Sequence, residues 1–166
     1  MPPNCRCTGF DIPGNLLREE IPQMVTITFE SAVRTMEFFH LYRQVFKRLT
    51  RGRRREARRN PNSCPVVGTF FVSHQFTDYA VVQNLYADGH EMAALSISHR
   101  WPTTFWQTAS AQQWAQEIAD QRLIFEELGK VPSDKIVGMR APYLQVGRRE
   151  ISSICFQQHA SSGQQQ

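Results

Sequence analysis

The sequence has no apolar run long enough to cross a membrane, so we expect a soluble chain with no membrane partner. Its first residues, Met1-Pro2-Pro3-Asn4-Cys5-Arg6-Cys7, lack the apolar stretch of a secretory signal. The sequence as written therefore directs the chain to no compartment.

Its 166 residues suffice for one domain with a hydrophobic core, and we expect one domain.

Cysteine is scarce, with four residues at Cys5, Cys7, Cys64 and Cys155. The spacing of Cys5 and Cys7 is too tight for the usual paired-thiolate zinc hook, and no second pair follows. An even count is compatible with disulfides in an oxidising compartment, in any of three pairings. Free thiols are the alternative.

Acidic residues are scarce in one segment. Nine Lys or Arg and one acid, Glu56, lie between Arg43 and Arg59, giving this segment a charge of +8 while the whole chain carries +4. Such a segment either binds a polyanion or forms a solvated, flexible loop at about residues 50–60. Because no aromatic residue lies between Arg51 and Arg59 to stack on bases, we expect no nucleic acid partner.

Runs of β-branched and apolar residues alternate with stretches of helical apolar spacing, which favours an α/β fold with a parallel sheet. The predicted strands are Met24–Phe29, Val66–Ser73, Glu91–Ser96 and Ile136–Arg140; the predicted helices are Val33–Leu49, Thr77 or Asp78 to about Ala87, and Ser110–Leu128. Residues 1–22 are typical of an irregular lead-in and residues 148–166 of a disordered tail.

Polar and titratable side chains follow each predicted strand, at Glu30 and Ser31, at His74, at Ser98 and His99, and at Arg140 and Tyr143. The carboxyl ends of parallel strands are where open sheets and βα barrels carry their chemistry. We therefore expect a functional site at this end of the sheet.

Four ordered stretches carry a resemblance: 22–29, Gly68–His74, Gly89–Ala93 and Arg140–Gly147. They resemble invertebrate, arthropod-type chitin deacetylases, which are polysaccharide deacetylases with a NodB-homology domain. The resemblance implies a partial domain over residues 23–147, folded as a truncated (β/α) barrel with about four parallel strands. It also implies an extracellular hydrolase that removes N-acetyl groups from chitin.

The resemblance implies a divalent metal, usually zinc, held by one Asp and two His. At the matching positions this sequence has Ser31, Leu95 and His99, so one of the three ligands remains. A neutral hydroxyl is a poor zinc ligand, and Leu95 has no donor atom. We therefore expect a degenerate metal site at which zinc is not bound.

The resemblance assigns catalytic roles to three further positions. Glu30 stands at the general base, one methylene longer than the family's Asp; Arg140 orients the base; and Tyr143 contributes its backbone N–H to the oxyanion hole. We expect Arg140 and Glu30 to form a salt bridge. The family's acid His has no counterpart up to Gly147, and His159 is not assigned that role.

Other side chains leave alternatives open. His74 and His90 are interpreted as hydrogen-bonded structural residues, although Glu30, His74 and His99 are chemically able to rebuild a metal site. Trp101, Phe105 and Trp106 either stack on sugar rings or pack in the core. The chain is accordingly interpreted as a catalytically impaired chitin deacetylase-like domain, or as a non-catalytic chitin- or glycan-binding relative or truncated product.

Overall fold

The computed structural model of the chain describes residues 16–49, 55–145 and 147. Most of the predicted lead-in, the centre of the Arg-rich segment and the predicted tail lie outside these residues, as do Cys5, Cys7 and Cys155. The strands are β1 Thr28–Ser31, β2 Lys47–Leu49, β3 Arg55–Ala57, β4 Thr69–Ser73 and β5 Glu91–Ser96. The helices are α1 Thr35–Glu37, α2 Arg43–Phe46, α3 Tyr79–Ala87, α4 Thr104–Thr108 and α5 Ala111–Glu127, with a π-helical turn at Phe38–Tyr42 and 3-10 turns at Arg18–Glu20, Ser133–Lys135 and Pro142–Leu144.

A parallel sheet forms the centre of the fold, in the order β1-β4-β5. This confirms the predicted α/β class and parallel pairing for three strands. The fourth predicted strand, Ile136–Arg140, is not a regular strand: it reaches β5 by one bridge between Ala94 and Met139. Two backbone hydrogen bonds of 3.0 Å, from Ala94 N to the Gly138 carbonyl and from Arg140 N to the Ala94 carbonyl, hold it there. The barrel stays a prediction.

The first strand begins later than its sequence indicates. Met24 and Val25, which the β-branched run placed in a buried strand, are 85% and 77% exposed. Pairing with β4 begins only where Thr28 lies opposite Thr69, because β4 itself begins there. The prediction of a strand at Met24–Phe29 was therefore wrong at both ends, since β1 runs from Thr28 to Ser31.

The first helical segment ends earlier than predicted. Its turns run from Thr35 to Phe46, and the residues that follow, Lys47–Leu49, leave the helix to pair antiparallel with Arg55–Ala57. A local pattern of apolar residues cannot reveal this pairing, because the partner strand lies across the centre of the Arg-rich segment.

The two later helices begin where the capping residues indicated. The Asp78 carboxylate accepts a hydrogen bond from Ala80 N at 3.0 Å, and α3 follows it. Ser110 caps α5 by accepting from Gln113 N at 3.2 Å, while the Gln113 side chain accepts from Ser110 N at 2.8 Å. Both caps satisfy backbone N–H groups that the first helical turn leaves unpaired.

An aromatic core holds β1 against β4. The rings of Phe29 and Phe70 stack with centroids 4.9 Å apart, and Tyr42 and Phe46 pack against both from the helical segment. Aromatic pairs of this kind stabilise a core beyond their buried area. This packing fixes where the carboxyl ends of β1 and β4 lie.

Candidate functional site

A salt bridge joins the end of β1 to the segment beside β5. Arg140 Nη1 lies 3.4 Å from Glu30 Oε2, and Arg140 Nη2 donates to Thr28 Oγ1 at 3.1 Å. The guanidinium also lies 4.0 Å from the centroid of the Phe71 ring. Both charged side chains are 28% exposed, so they are accessible to a ligand. The predicted pair between Arg140 and Glu30 is present.

His99 and Tyr143 form the other half of the site. Their rings stack with centroids 4.5 Å apart and planes 15° apart, and the Tyr143 hydroxyl donates to the His99 carbonyl at 3.0 Å. Trp101 meets Tyr143 edge-on at 5.8 Å. The sequence predicted that these residues follow neighbouring strands, and the structure brings them together.

The turn after β5 positions His99 in a left-handed backbone conformation. His99 has a φ of 43°, its N–H donates to Ser96 Oγ at 2.9 Å, and Glu117 anchors the preceding Ser98 through both its N–H and its hydroxyl. Burial lowers the pKa of His99, and the nearby Glu30 carboxylate partly opposes this shift. The charge of Glu30 thus acts on the His99 ring. We call the two halves together the strand-end site (Glu30, Ser31, His99, Arg140 and Tyr143).

The donor set at the strand-end site does not fit a zinc ion. Ser31 offers a neutral hydroxyl at the end of β1, and Leu95, fully buried in β5, offers no donor. Within residues 16–49, 55–145 and 147, no group of three His, Cys, Asp or Glu side chains is placed to hold a metal. Glu30, His74 and His99 therefore do not form the rebuilt site that their chemistry allowed.

His74 and His90 each have a structural partner, as predicted. His74 Nδ1 lies 3.0 Å from the Tyr79 hydroxyl, and burial raises the pKa of Tyr79 to about 12. His90 Nδ1 accepts from Gly68 N at 3.1 Å, which places the proton of the neutral ring on its other nitrogen. Burial lowers the pKa of His90.

The three aromatic residues after β5 separate into two roles. Trp106 is fully buried, donates from its indole to the Arg100 carbonyl at 2.8 Å and packs edge-on against Trp114. Phe105 is half-buried against Trp106. Trp101 is 72% exposed, so of the three it is the residue available to stack on a sugar.

Sequence reasoning missed two of the three residues that hold Arg140, namely Thr28 and Phe71. Thr28 and Glu30 lie two residues apart on one face of β1, and Glu30 lies opposite Phe71 in the register of β1 with β4. The two-residue period of a strand identifies Thr28 as a neighbour of Glu30. Phe71 could be found only from the register.

Two further predictions concern the compartment. Cys64 is exposed and is a free thiol within the described part of the chain, which does not support the predicted disulfides there. Across the residues that the structure describes, no helix combines the length and apolar character needed to cross a membrane.

Comparison with known proteins identifies two silkworm relatives. "Chitin deacetylase 1" of Bombyx mori is 40% identical over 147 residues, covering 87% of this chain and 26% of the relative. "Chitin deacetylase 8" of the same organism is 40% identical over 144 residues, covering 87% of this chain and 35% of the relative. The chain thus spans between about a quarter and about a third of the length of these relatives. No protein-family model matches the chain.

Proposed function

We propose that this chain, an arthropod chitin deacetylase-like protein, binds chitin or a related N-acetylglucosamine polymer while its capacity for metal-dependent deacetylation is impaired. The observation that carries this proposal is Leu95, a fully buried side chain without a donor atom at a position where the family has a metal ligand. Ser31 leaves a second ligand position without a charged donor.

The remaining strand-end site suits a neutral sugar. Glu30, held by Arg140, presents carboxylate oxygens that accept hydrogen bonds from hydroxyl or amide N–H groups. Trp101 presents an exposed ring edge-on to Tyr143, and such a ring packs on the apolar face of a pyranose. In the family, a bound divalent metal supplies activated water; the donors here do not fit it, so we assign these residues to binding and orienting the polymer.

The family's extracellular location and the domain range of residues 23–147 are carried over as part of the same proposal. They rest on the similarity to the silkworm relatives, which covers most of this chain.

A second candidate function, residual deacetylation, is favoured by one observation. His99 Nε2 is buried and has no hydrogen-bond partner among the described residues. A nitrogen in this state is able to coordinate a metal or exchange a proton with a substrate. Acetate release from acetylated chitin oligomers, measured beside oligomer binding, separates the two functions.

The test of binding uses Trp101→Ala. Stacking on one aromatic ring corresponds to a loss of about three- to tenfold in affinity for chitin oligomers when the ring is removed, measured by isothermal titration calorimetry. The matched control is Phe39→Ala, which removes another part-exposed aromatic ring, on the helical segment. Equal losses in both variants, or no oligomer binding in the native chain, would contradict the proposal.

A further inference from the structure

The antiparallel strands β2 and β3 and the turn after β3 border an open pocket of about 570 Å³. We call it the arginine pocket; it is lined by Arg48, Glu56, Ala57, Arg58, Arg59 and Val66. It contains no residue of the strand-end site, and the chitin-binding proposal leaves it unexplained.

Backbone contacts hold this pocket in shape. Arg58 N donates to the Phe46 carbonyl at 2.8 Å, Val66 N donates to the Arg58 carbonyl at 2.7 Å, and Arg59 pairs with Pro65. The flanks of the predicted Arg-rich loop are therefore tied to the helical segment and to the turn before β4. A rigid frame lowers the entropic cost of binding a ligand.

Two guanidinium groups in the pocket are positioned but retain free donors. Arg58 Nη2 donates to the Gln44 carbonyl at 3.3 Å, and Arg59 Nη1 donates to the Ser63 carbonyl at 2.6 Å. A guanidinium has five N–H donors, so one such bond orients each group without exhausting it. Oriented guanidinium groups recognise the paired oxygens of carboxylates and phosphates, and a sulfate presents oxygens in a similar arrangement.

The charge in the pocket is not balanced. Three arginines face one acid, and the Arg48 guanidinium lies 3.8 Å from the Glu56 carboxylate with both side chains more than half exposed. A pair that is this long and this solvated neutralises little charge. The pocket consequently attracts anions.

We propose that the arginine pocket binds the sulfate or carboxylate groups of an acidic polysaccharide. The choice of a polysaccharide rests on the proposed function, which makes the chain a carbohydrate-binding protein, and on the lining, in which none of the six residues is aromatic. A single-stranded nucleic acid gains much of its affinity from stacking on aromatic rings, which these residues do not offer.

Titration of the full chain with a short heparin oligosaccharide tests this proposal. Arg48→Gln, which removes the guanidinium least tied to the backbone, is expected to weaken binding about three- to tenfold. Glu56→Gln removes the one carboxylate of the lining and is expected to tighten binding about two- to fivefold. The second variant predicts a change of opposite sign, so the test stays decisive if the first variant is destabilised.

Arg34→Gln is the matched control, since it makes the same charge change at an exposed arginine paired with Glu37 at 3.0 Å. It is expected to alter heparin affinity by less than about twofold. The proposal is overturned if Arg34→Gln weakens binding as much as Arg48→Gln, if the native chain does not bind heparin, or if single-stranded DNA of equal charge binds more tightly. Neutral chitin oligomers, titrated in parallel, separate the two proposals: heparin binding that depends on Arg48 stands even if chitin binding fails.

Discussion

The aromatic core and the strand-end site both use residues of β1, but neighbouring residues of this strand have different roles. Phe29 faces the core and stacks on Phe70, while the next residue, Glu30, faces the site and pairs with Arg140. The core is complete, with Phe70 and the helical segment packed around it. The site has the Glu30–Arg140 salt bridge, and Ser31 and Leu95 stand at the positions where the proposed function expects metal ligands. The side chains that pack the core are therefore distinct from those of the strand-end site, so we expect the stability of the fold not to depend on the chemistry of that site.

The largest expected effect tests the core. Phe70→Ala removes a fully buried ring from the centre of the aromatic cluster and is expected to lower the free energy of unfolding by about 3–5 kcal/mol. Denaturant unfolding followed by circular dichroism measures it. The control Phe76→Ala removes a ring that is 77% exposed and is expected to cost less than about 0.5 kcal/mol.

Similar losses for Phe70→Ala and Phe76→Ala would show that the aromatic core is not the source of the stability of the fold. A non-cooperative transition in the native chain would contradict this role of the core as well, and would favour the truncated product without a stable fold.

A smaller effect is expected at the site. Arg140→Gln removes a partly exposed salt bridge, a hydrogen bond to Thr28 and a contact with the Phe71 ring, and we expect a loss of about 1 kcal/mol in unfolding free energy. Arg34→Gln, which removes an ion pair between the residue before α1 and Glu37, is expected to cost about 0.2–0.5 kcal/mol. If Arg140→Gln lowered the unfolding free energy as much as Phe70→Ala does, the strand-end site would stabilise the fold as strongly as the aromatic core, and the two regions would not differ in this respect.

The smallest effect is a pH dependence shared by both regions. Burial lowers the pKa of His90 in the core and of His99 in the site below the ordinary value of 6.5. As pH falls below 6.5, the unfolded chain takes up these protons before the folded chain does, so stability is full above 6.5 and declines towards the folded pKa values. Unfolding curves between about pH 7.5 and about pH 5.5 measure this decline.

Two variants divide the pH effect between the regions. His90→Asn removes one titrating imidazole but keeps an acceptor for Gly68 N. His99→Asn removes the second imidazole, and Asn tolerates the left-handed backbone conformation at φ 43°. Each variant is expected to reduce the loss of unfolding free energy as the pH falls. The reduction is expected to be larger for His90→Asn because His90 is the more deeply buried of the two. An unchanged slope in both variants would show that other groups titrate.

Much of the fold could be predicted from local signals. Asp78 and Ser110 cap their helices because the side-chain acceptors that the sequence shows are the ones that bind the first backbone N–H groups. Strand bounds were less predictable, because a strand exists only where it has a partner. Met24 and Val25 have strong strand propensity but remain exposed, and Ile136–Arg140 pairs with β5 at one bridge only.

The sequence predicted that the residues of the strand-end site lie close together, but it predicted fewer of their contacts. The resemblance placed Glu30 and Arg140 together, and their salt bridge is present. It could not show that Arg140 lies over the Phe71 ring, because this contact depends on the strand register. Nor could it show that His74 forms a hydrogen bond with the Tyr79 hydroxyl. Trp101 and Trp106 look alike in sequence, yet one is exposed and the other lies in the core. Only the packing of α5 against this turn, through Trp114, separates them.

The most direct test of the account is a zinc titration of the native chain beside the double variant Ser31→Asp, Leu95→His, which restores the family's ligand types next to His99. Calorimetry is expected to show no saturable one-to-one zinc binding in the native chain and to show such binding in the double variant. Stoichiometric zinc in the native chain that is lost in His99→Asn, together with acetate release from chitin oligomers, would contradict the proposal that metal-dependent deacetylation is impaired in this chain.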